Sequence, residues 1–262
     1  MNSIKIFQVD TFSTDLFSGN PAAVCVLESW LPDHIMQNIA MENNLSETAF
    51  IVKQSEDFFI RWFTPTVEIP LCGHATLASA HVLWQELALP EATIRFQTKM
   101  GDVLSVFYDS GIIKMDFPSY EPSETDQDLE VIGSALSVRP IAFFASMYGL
   151  AVFENEEDIL NVEPNISALE QLNYDGIIVT APGDRVDFVS RFFGPKLGIP
   201  EDPVTGGAHC ELIPYWSSRL GKKDLIARQL SKRGGELYCC DRGDRVTIGG
   251  KAVTYLRGEL QV

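Results

Sequence analysis

Arg61-Trp62-Phe63-Thr64-Pro65 and Arg191-Phe192-Phe193-Gly194-Pro195 are two versions of one phrase. Soon after the first comes Glu68-Ile69-Pro70-Leu71-Cys72-Gly73-His74-Ala75. After the second comes Glu201-Asp202-Pro203-Val204-Thr205-Gly206-Gly207-Ala208. One such match between short strand-and-turn segments can arise by chance. Two matches in the same order, offset by about half of the 262-residue chain, point to a duplicated domain. A chain of this length can give each half its own core. The boundary is expected in the polar stretch 118–128, which holds Pro118, Pro122 and several acids, the composition of a linker that few contacts cross. The expected halves are 1–118 and 119–262, with the last strand free to pack back on the first half. Ligand sites often form between such domains, and the site is expected there.

Outward from the repeat, short apolar or alternating runs read as strands. They cover 4–9, 22–27, 49–53, 58–63, 103–107 and 112–117 in the first half. In the second they cover 141–145, 150–153, 176–180, 186–193, 246–248 and 252–256. Helices interrupt them. Pro32 suits a first helical turn. The run from His74 to Leu87 is apolar nearly all round, the pattern of an enclosed helix. Ser167 and Glu170 have the spacing of a capping box. A further helix is expected from Gly207, broken or bent at Pro214. The mixture is α+β rather than a regular alternation of strand and helix.

Composition narrows the function. The net charge of −16 makes a surface that repels phosphate backbones, so nucleic acid is not an expected partner. The five cysteines (Cys25, Cys72, Cys210, Cys239 and Cys240) form no C-x-x-C pair. Neither a disulfide framework nor a zinc ribbon is suggested, and a reducing compartment fits. The first ten residues lack the basic-then-apolar order of a signal peptide, and no apolar run reaches membrane-spanning length. A cytoplasmic protein is expected. No G-x-x-x-x-G-K or G-x-G-x-x-G motif is present, so no coenzyme is expected either.

Each repeat ends in a glycine turn feeding a helix, through Gly73-His74 and Gly206-Gly207. Free N–H groups at a helix start bind anions, and glycine lets a ligand approach the backbone closely. Asn44-Leu45-Ser46-Glu47-Thr48 lies between an expected helix and an expected strand, where active groups often sit. Residue type alone would leave Glu47 a solvated acid. His74 at its helix start can donate a hydrogen bond or shuttle a proton. Asp202, inside the second repeat, is expected to line the cleft.

These residues carry a resemblance. Phe7-Gln8-Val9-Asp10, Gly19-Asn20-Pro21-Ala22-Ala23-Val24, Asn44-Leu45-Ser46-Glu47-Thr48-Ala49-Phe50, Leu71-Cys72-Gly73-His74-Ala75-Thr76 and Glu201-Asp202-Pro203-Val204-Thr205-Gly206, with the arginine phrase at 61–65, resemble the PhzF family of phenazine-biosynthesis isomerase-like proteins. The match is ordered from the N-terminus to at least Ala208. It implies a diaminopimelate epimerase-like fold of two pseudo-symmetric domains, each a sheet curled around a central helix, and a homodimer. It implies isomerisation of a carbon acid similar to dihydro-hydroxyanthranilate, without metal or coenzyme. The family's proton-carrying glutamate falls on Glu47, its active-site histidine on His74 and its aspartate on Asp202. Backbone amides at Gly73 and Gly206 would stabilise developing negative charge. Where the family commonly has serine after Thr-Gly, this chain has Gly207, so a hydroxyl donor to the ligand is missing at that position.

Two other readings stay open. A two-base racemase needs a cysteine from each half, but the partner of Cys72 by repeat is Thr205, which cannot replace a thiolate. A non-catalytic binding protein on the same scaffold is compatible with Gly207. Metal ligation is not expected: His74 and His81 share a helix face and His209 lies in the matching helix, but no third ligand sits at metal-site spacing.

Overall fold

The computed structural model describes residues 3–126 and 129–262; Gln127 and Asp128, at the end of the expected linker, lie outside the described residues. The chain divides into two compact units. One comprises the residues up to Asp116 together with Gly249–Val262, the other Phe117–Ile248.

In the first unit, β1 (Ser3–Thr11) is antiparallel to β2 (Asn20–Leu27), and β2 is parallel to β3 (Glu47–Gln54). A parallel pair needs a crossover, supplied here by α1 (Asp33–Asn43). β4 (Asp57–Phe63) returns antiparallel to β3, and the short β5 (Glu68–Ile69) pairs with β4. α2 (Gly73–His81), extended by a π-helical turn over Val82–Glu86, leads to β6 (Thr93–Thr98), parallel to β4. β7 (Val103–Asp109) and β8 (Ile112–Pro118) follow as antiparallel neighbours. The last strand, Ala252–Gln261, pairs with β1.

The central strands β2 and β3 are buried on both faces, as their nearly continuous apolar runs require. Ile4, Ile6, Ala23, Cys25, Phe50 and Val52 form one core with Met36 and Ala40 of α1. The intervening Ala22, Val24, Ala49 and Ile51 are buried as well. α2 lies against β1, β2 and β3, and every residue from His74 to His81 is buried. The all-round apolar pattern of that helix is thus explained by enclosure. Between β1 and β2, Gly19 has φ +67°, and a Cβ there would fall 2.0 Å from the Thr11 carbonyl oxygen, so only glycine fits the turn.

The second unit opens with β9 (Ser123–Glu124), α3 (Leu129–Leu136), β10 (Ala142–Ala145) and β11 (Gly149–Val152). α4 (Glu156–Asn161) and α5 (Ile166–Gln171) cross over to β12 (Ile177–Pro182). Then come β13 (Phe188–Gly194), β14 (Ile199–Asp202), α6 (Gly206–Leu220), β15 (Asp224–Gln229), β16 (Gly235–Asp241) and β17 (Arg245–Gly250). β10–β11 is antiparallel, β11–β12 parallel, β12–β13 antiparallel, β13–β14 antiparallel, β13–β15 parallel and β15–β16 antiparallel. That is the order of pairings from β1 to β7. Each unit is therefore one copy of the same design.

The matched motifs play the same part in both copies. Arg61 donates from Nε and Nη2 to the two carboxylate oxygens of Glu68 at 2.7 and 2.8 Å. Arg191 does the same to Glu201 at 2.7 and 3.1 Å. Each guanidinium also stacks on the phenylalanine two residues on, 5.2 Å from Phe63 and 5.0 Å from Phe193.

Two helix expectations are corrected. α6 runs unbroken through Pro214. Proline leaves the carbonyl four residues earlier without its helical donor, and that carbonyl, on Cys210, accepts instead from the Tyr120 N–H at 2.9 Å. The third expected helix begins at Asn165, whose side chain accepts from the Ala168 N–H at 3.1 Å, so Ser167 and Glu170 do not form the cap. Outside the expected elements lie β6, β15, β16, α3 and α4, together with the short β5, β9 and β14.

Candidate active site

The first unit brings Glu47, Cys72 and His74 together. α1 stops at Asn44, which takes the left-handed conformation at φ 49°. The chain then turns at once into β3, whose first residue is Glu47, paired with Ala22. Glu47 is only 6% exposed, the reverse of what its residue type suggests. Cys72 is the N-cap of α2 and makes no side-chain capping bond, so the first helical N–H groups have no side chain to bind.

His74 Nε2 lies 3.1 Å from Glu47 Oε2, and Cys72 Sγ lies 3.4 Å from His74 Nδ1. The Glu47–His74 contact is an ion-pair distance off the line of a hydrogen bond, and both atoms lack a hydrogen-bond partner among the described residues. Burial works against an imidazolium at His74, yet the charges of Cys72 and Glu47 raise its pKa well above the ordinary histidine value. Burial, and then Glu47, push the Cys72 thiol up, so it is a poor thiolate.

Three donor atoms of Glu47, Cys72 and His74 lie within 4.8 Å of one another and could hold a metal ion. Of the three histidines the sequence offered for a metal set, His74 belongs to this group and His81 and His209 do not. Ligation would require the Cys72 thiol and the His74 imidazole to bind in their deprotonated forms. His81 instead bonds Thr254 Oγ1 at 2.9 Å, and burial lowers its pKa to about 4.

In the second unit, Asp202 ends β14, is 8% exposed, and accepts from the Thr205 hydroxyl at 2.6 Å. Gln229, at the end of β15, ties this corner together. Its Nε2 donates to the Asp202 carbonyl at 2.8 Å and its Oε1 accepts from the Thr205 N–H at 2.9 Å. His209 Nδ1 faces the Thr205 carbonyl at 2.8 Å, and burial lowers its pKa to about 4, so it is a neutral donor there. Gly206 and Gly207 open α6. A Cβ on Gly206 would meet nothing within 4 Å, so the residue leaves the helix start bare rather than relieving a clash. Thr205, the N-cap, makes no side-chain capping bond.

Within the units, then, the predicted residues fall into two clusters, each at the start of a buried central helix. Glu47, His74 and Gly73 belong to one, Asp202, Gly206 and Gly207 to the other. Sequence reasoning missed Gln229, Tyr148 and Glu211. Glu211, fully buried on α6, accepts from the Tyr148 N–H at 2.8 Å, and burial raises its pKa to about 7. An acid in an apolar helix was the available signal.

The model of the family described as phenazine biosynthesis-like protein matches residues 9–258. The chain belongs to that PhzC-PhzF family. It is 48% identical to an uncharacterized isomerase of Pseudomonas aeruginosa, over 99% of each chain. It is similar to the crystal structure of a PhzF family protein from Enterococcus faecalis, with 46% identity, a TM-score of 0.97 and complete coverage of both chains. A hydroxyproline epimerase from Agrobacterium vitis shares the fold alone, with a TM-score of 0.65 and 9% identity over 99% of this chain and 91% of that one. The protein is an enzyme of the isomerase class with the diaminopimelate epimerase-like α+β fold. Among the described residues no helix is long and apolar enough to cross a membrane.

Proposed function

We propose that this chain is a coenzyme-independent isomerase that moves a proton within a small carboxylate-bearing carbon acid, similar to dihydro-hydroxyanthranilate. The observation that carries the proposal is the buried Glu47–His74 pair, 3.1 Å apart beside the uncapped start of α2. A carboxylate removed from water and held against an imidazole is suited to taking a proton from carbon. The electron pair released moves into a conjugated C=C–O⁻ system, and N–H groups at Gly73 stabilise that oxygen. The proton returns at a different carbon, giving an isomer with no net gain or loss of atoms or electrons. In this reading His74 and Asp202 assist Glu47 in the proton transfer, and Gly73, Gly206 and Gly207 bind the substrate. A homodimeric cytoplasmic enzyme is the corresponding assembly and setting.

The raised pKa of the Cys72 thiol and its replacement by Thr205 in the second repeat speak against a two-cysteine racemase. The test is deuterium incorporation from heavy water into dihydro-hydroxyanthranilate and related carbon acids. Incorporation by wild type that disappears in Glu47→Gln supports the reading. Incorporation that survives Glu47→Gln sinks Glu47 as the proton carrier. Binding without any exchange favours a non-catalytic binding protein.

A further inference from the structure

Strand register makes the two repeats comparable residue by residue. Thr48 pairs with Ala23 and Phe63, and Ile177 pairs with Gly149 and Phe193. Stepping back one residue on each strand, Glu47 and Ala22 correspond to Gly176 and Tyr148. The matched helix starts make Gly207 the counterpart of His74. At these three places the first repeat has Ala22, Glu47 and His74; the second has Tyr148, Gly176 and Gly207.

The exchange is spatial as well as formal. A Cβ on Gly176 would lie 3.2 Å from Tyr148 Cδ1, and a Cβ on Gly207 would lie 3.5 Å from the Tyr148 hydroxyl. The Phe192 ring takes most of the ground at Gly176, 2.4 Å from that Cβ, and the Tyr148 side chain, entering from β11's side of the sheet, flanks it and brings its hydroxyl to the ground at Gly207. The ring is fixed edge-on against Phe192 with centroids 4.9 Å apart, and the backbone N–H is fixed on Glu211. The hydroxyl makes no hydrogen bond to any described residue. A half-buried phenol held rigidly beside an uncapped helix start, with its donor unspent, is built to meet a ligand oxygen.

We infer that the Tyr148 hydroxyl is a substrate-binding hydrogen-bond donor at the start of α6, directed at a carboxylate or enolate oxygen. Burial moves the phenol up to about 12, so it keeps its proton at neutral pH and can donate. The absence of a side chain at Gly207 is then matched by a hydroxyl delivered from another strand. This rests on the isomerase reading for its effect on turnover, but the binding of a carboxylate is independent of it.

The test uses Tyr148→Phe, which keeps the ring and its packing, and the double variant Tyr148→Phe/Gly207→Ser. A serine Cβ at 207 meets only ordinary contact distances, so the double variant can fold. Deuterium exchange into dihydro-hydroxyanthranilate gives kcat/KM, and calorimetric titration with benzoate gives carboxylate affinity. Tyr148→Phe is expected to melt like wild type, to bind benzoate roughly ten-fold more weakly and to lose about ten- to hundred-fold in kcat/KM. The double variant is expected to recover a large part of both. Wild-type behaviour in Tyr148→Phe overturns the inference, as does a loss that Gly207→Ser fails to restore, or a wild-type protein that binds no benzoate. If wild type binds benzoate but exchanges no deuterium, the isomerase reading fails while the benzoate series still decides Tyr148.

Discussion

The two helix starts were built from one plan and hold opposite chemistry. At the start of α2 a carboxylate and an imidazole stand 3.1 Å apart. At the matched place in the second repeat both positions are glycine, Phe192 and Tyr148 cover them, and a carboxylate appears on the next corner as Asp202. The Arg–Glu strap beneath each site is nearly unchanged. The difference teaches that the strap belongs to the fold, since both copies keep it, whereas the buried carboxylate–imidazole pair belongs to one copy. Function is carried by the site and not by the scaffold that repeats it.

The asymmetry can be broken most severely at Glu47. Glu47→Gln is expected to cut the rate of deuterium exchange by about 10² to 10⁴, with an unchanged melting curve. The matching corner should tolerate more: Asp202→Asn keeps the bond from the Thr205 hydroxyl and is expected to cost less in rate than Glu47→Gln. Equal losses would dissolve the division of labour.

The straps make a stability comparison. Arg191 Nη1 also donates to the carbonyls of Ile159 and Val162 at 3.1 and 2.8 Å, closing the end of α4. Arg61 Nη1 reaches only Asp33, whose side chain is 71% exposed. Removing Arg191 strands buried acceptors, so Arg191→Ala is expected to cost about 3 kcal/mol and Arg61→Ala about 1–2 kcal/mol in urea unfolding. The reverse order would show that the second strap is not the heavier one.

The buried acid Glu211 gives a pH test. Its pKa is raised by burial from about 4.5 to about 7 in the fold. The native state therefore binds the proton more tightly than the unfolded state does. The associated stability is whole below the unfolded value and is lost as pH rises toward 7. Glu211→Gln removes this, so its melting temperature relative to wild type should climb between pH 5 and pH 8, by the equivalent of about 1–3 kcal/mol. A flat difference would mean that Glu211 is ionised throughout. The smallest effect is expected at Cys72. Cys72→Ala should change exchange by less than about three-fold, because a thiol whose pKa burial raises is a poor nucleophile; rapid inactivation by iodoacetamide at Cys72 would contradict that.

Much of this was legible in the chain itself. The repeated arginine phrase marks β4 and β13, and the glycine turns mark both helix starts. What stayed hidden depends on partners distant in sequence. β15 alternates, but it buries Ala227 and Gln229 while leaving Ile226 41% exposed, so hydrophobicity misreports its inner face. Gln229 can brace Asp202 only because β15 lies parallel to β13. β6 is a different case, since Ile94, Phe96 and Thr98 alternate cleanly and were there to be read. Glu47 could be nominated by resemblance, but its burial is a property of the turn at Asn44 and of the helix opposite.

Pro214 was expected to break or bend a helix, and the carbonyl it frees instead ties that helix to the rest of its unit. The carbonyl it leaves open is closed by Tyr120, from a segment that precedes every other element of that unit. The middle of α6 is thus completed by the first residues of its own unit rather than by its own next turn. A chain nicked or shortened ahead of β9 would keep every residue of the helix and of its glycine start, yet lose the clasp that holds the helix at its waist.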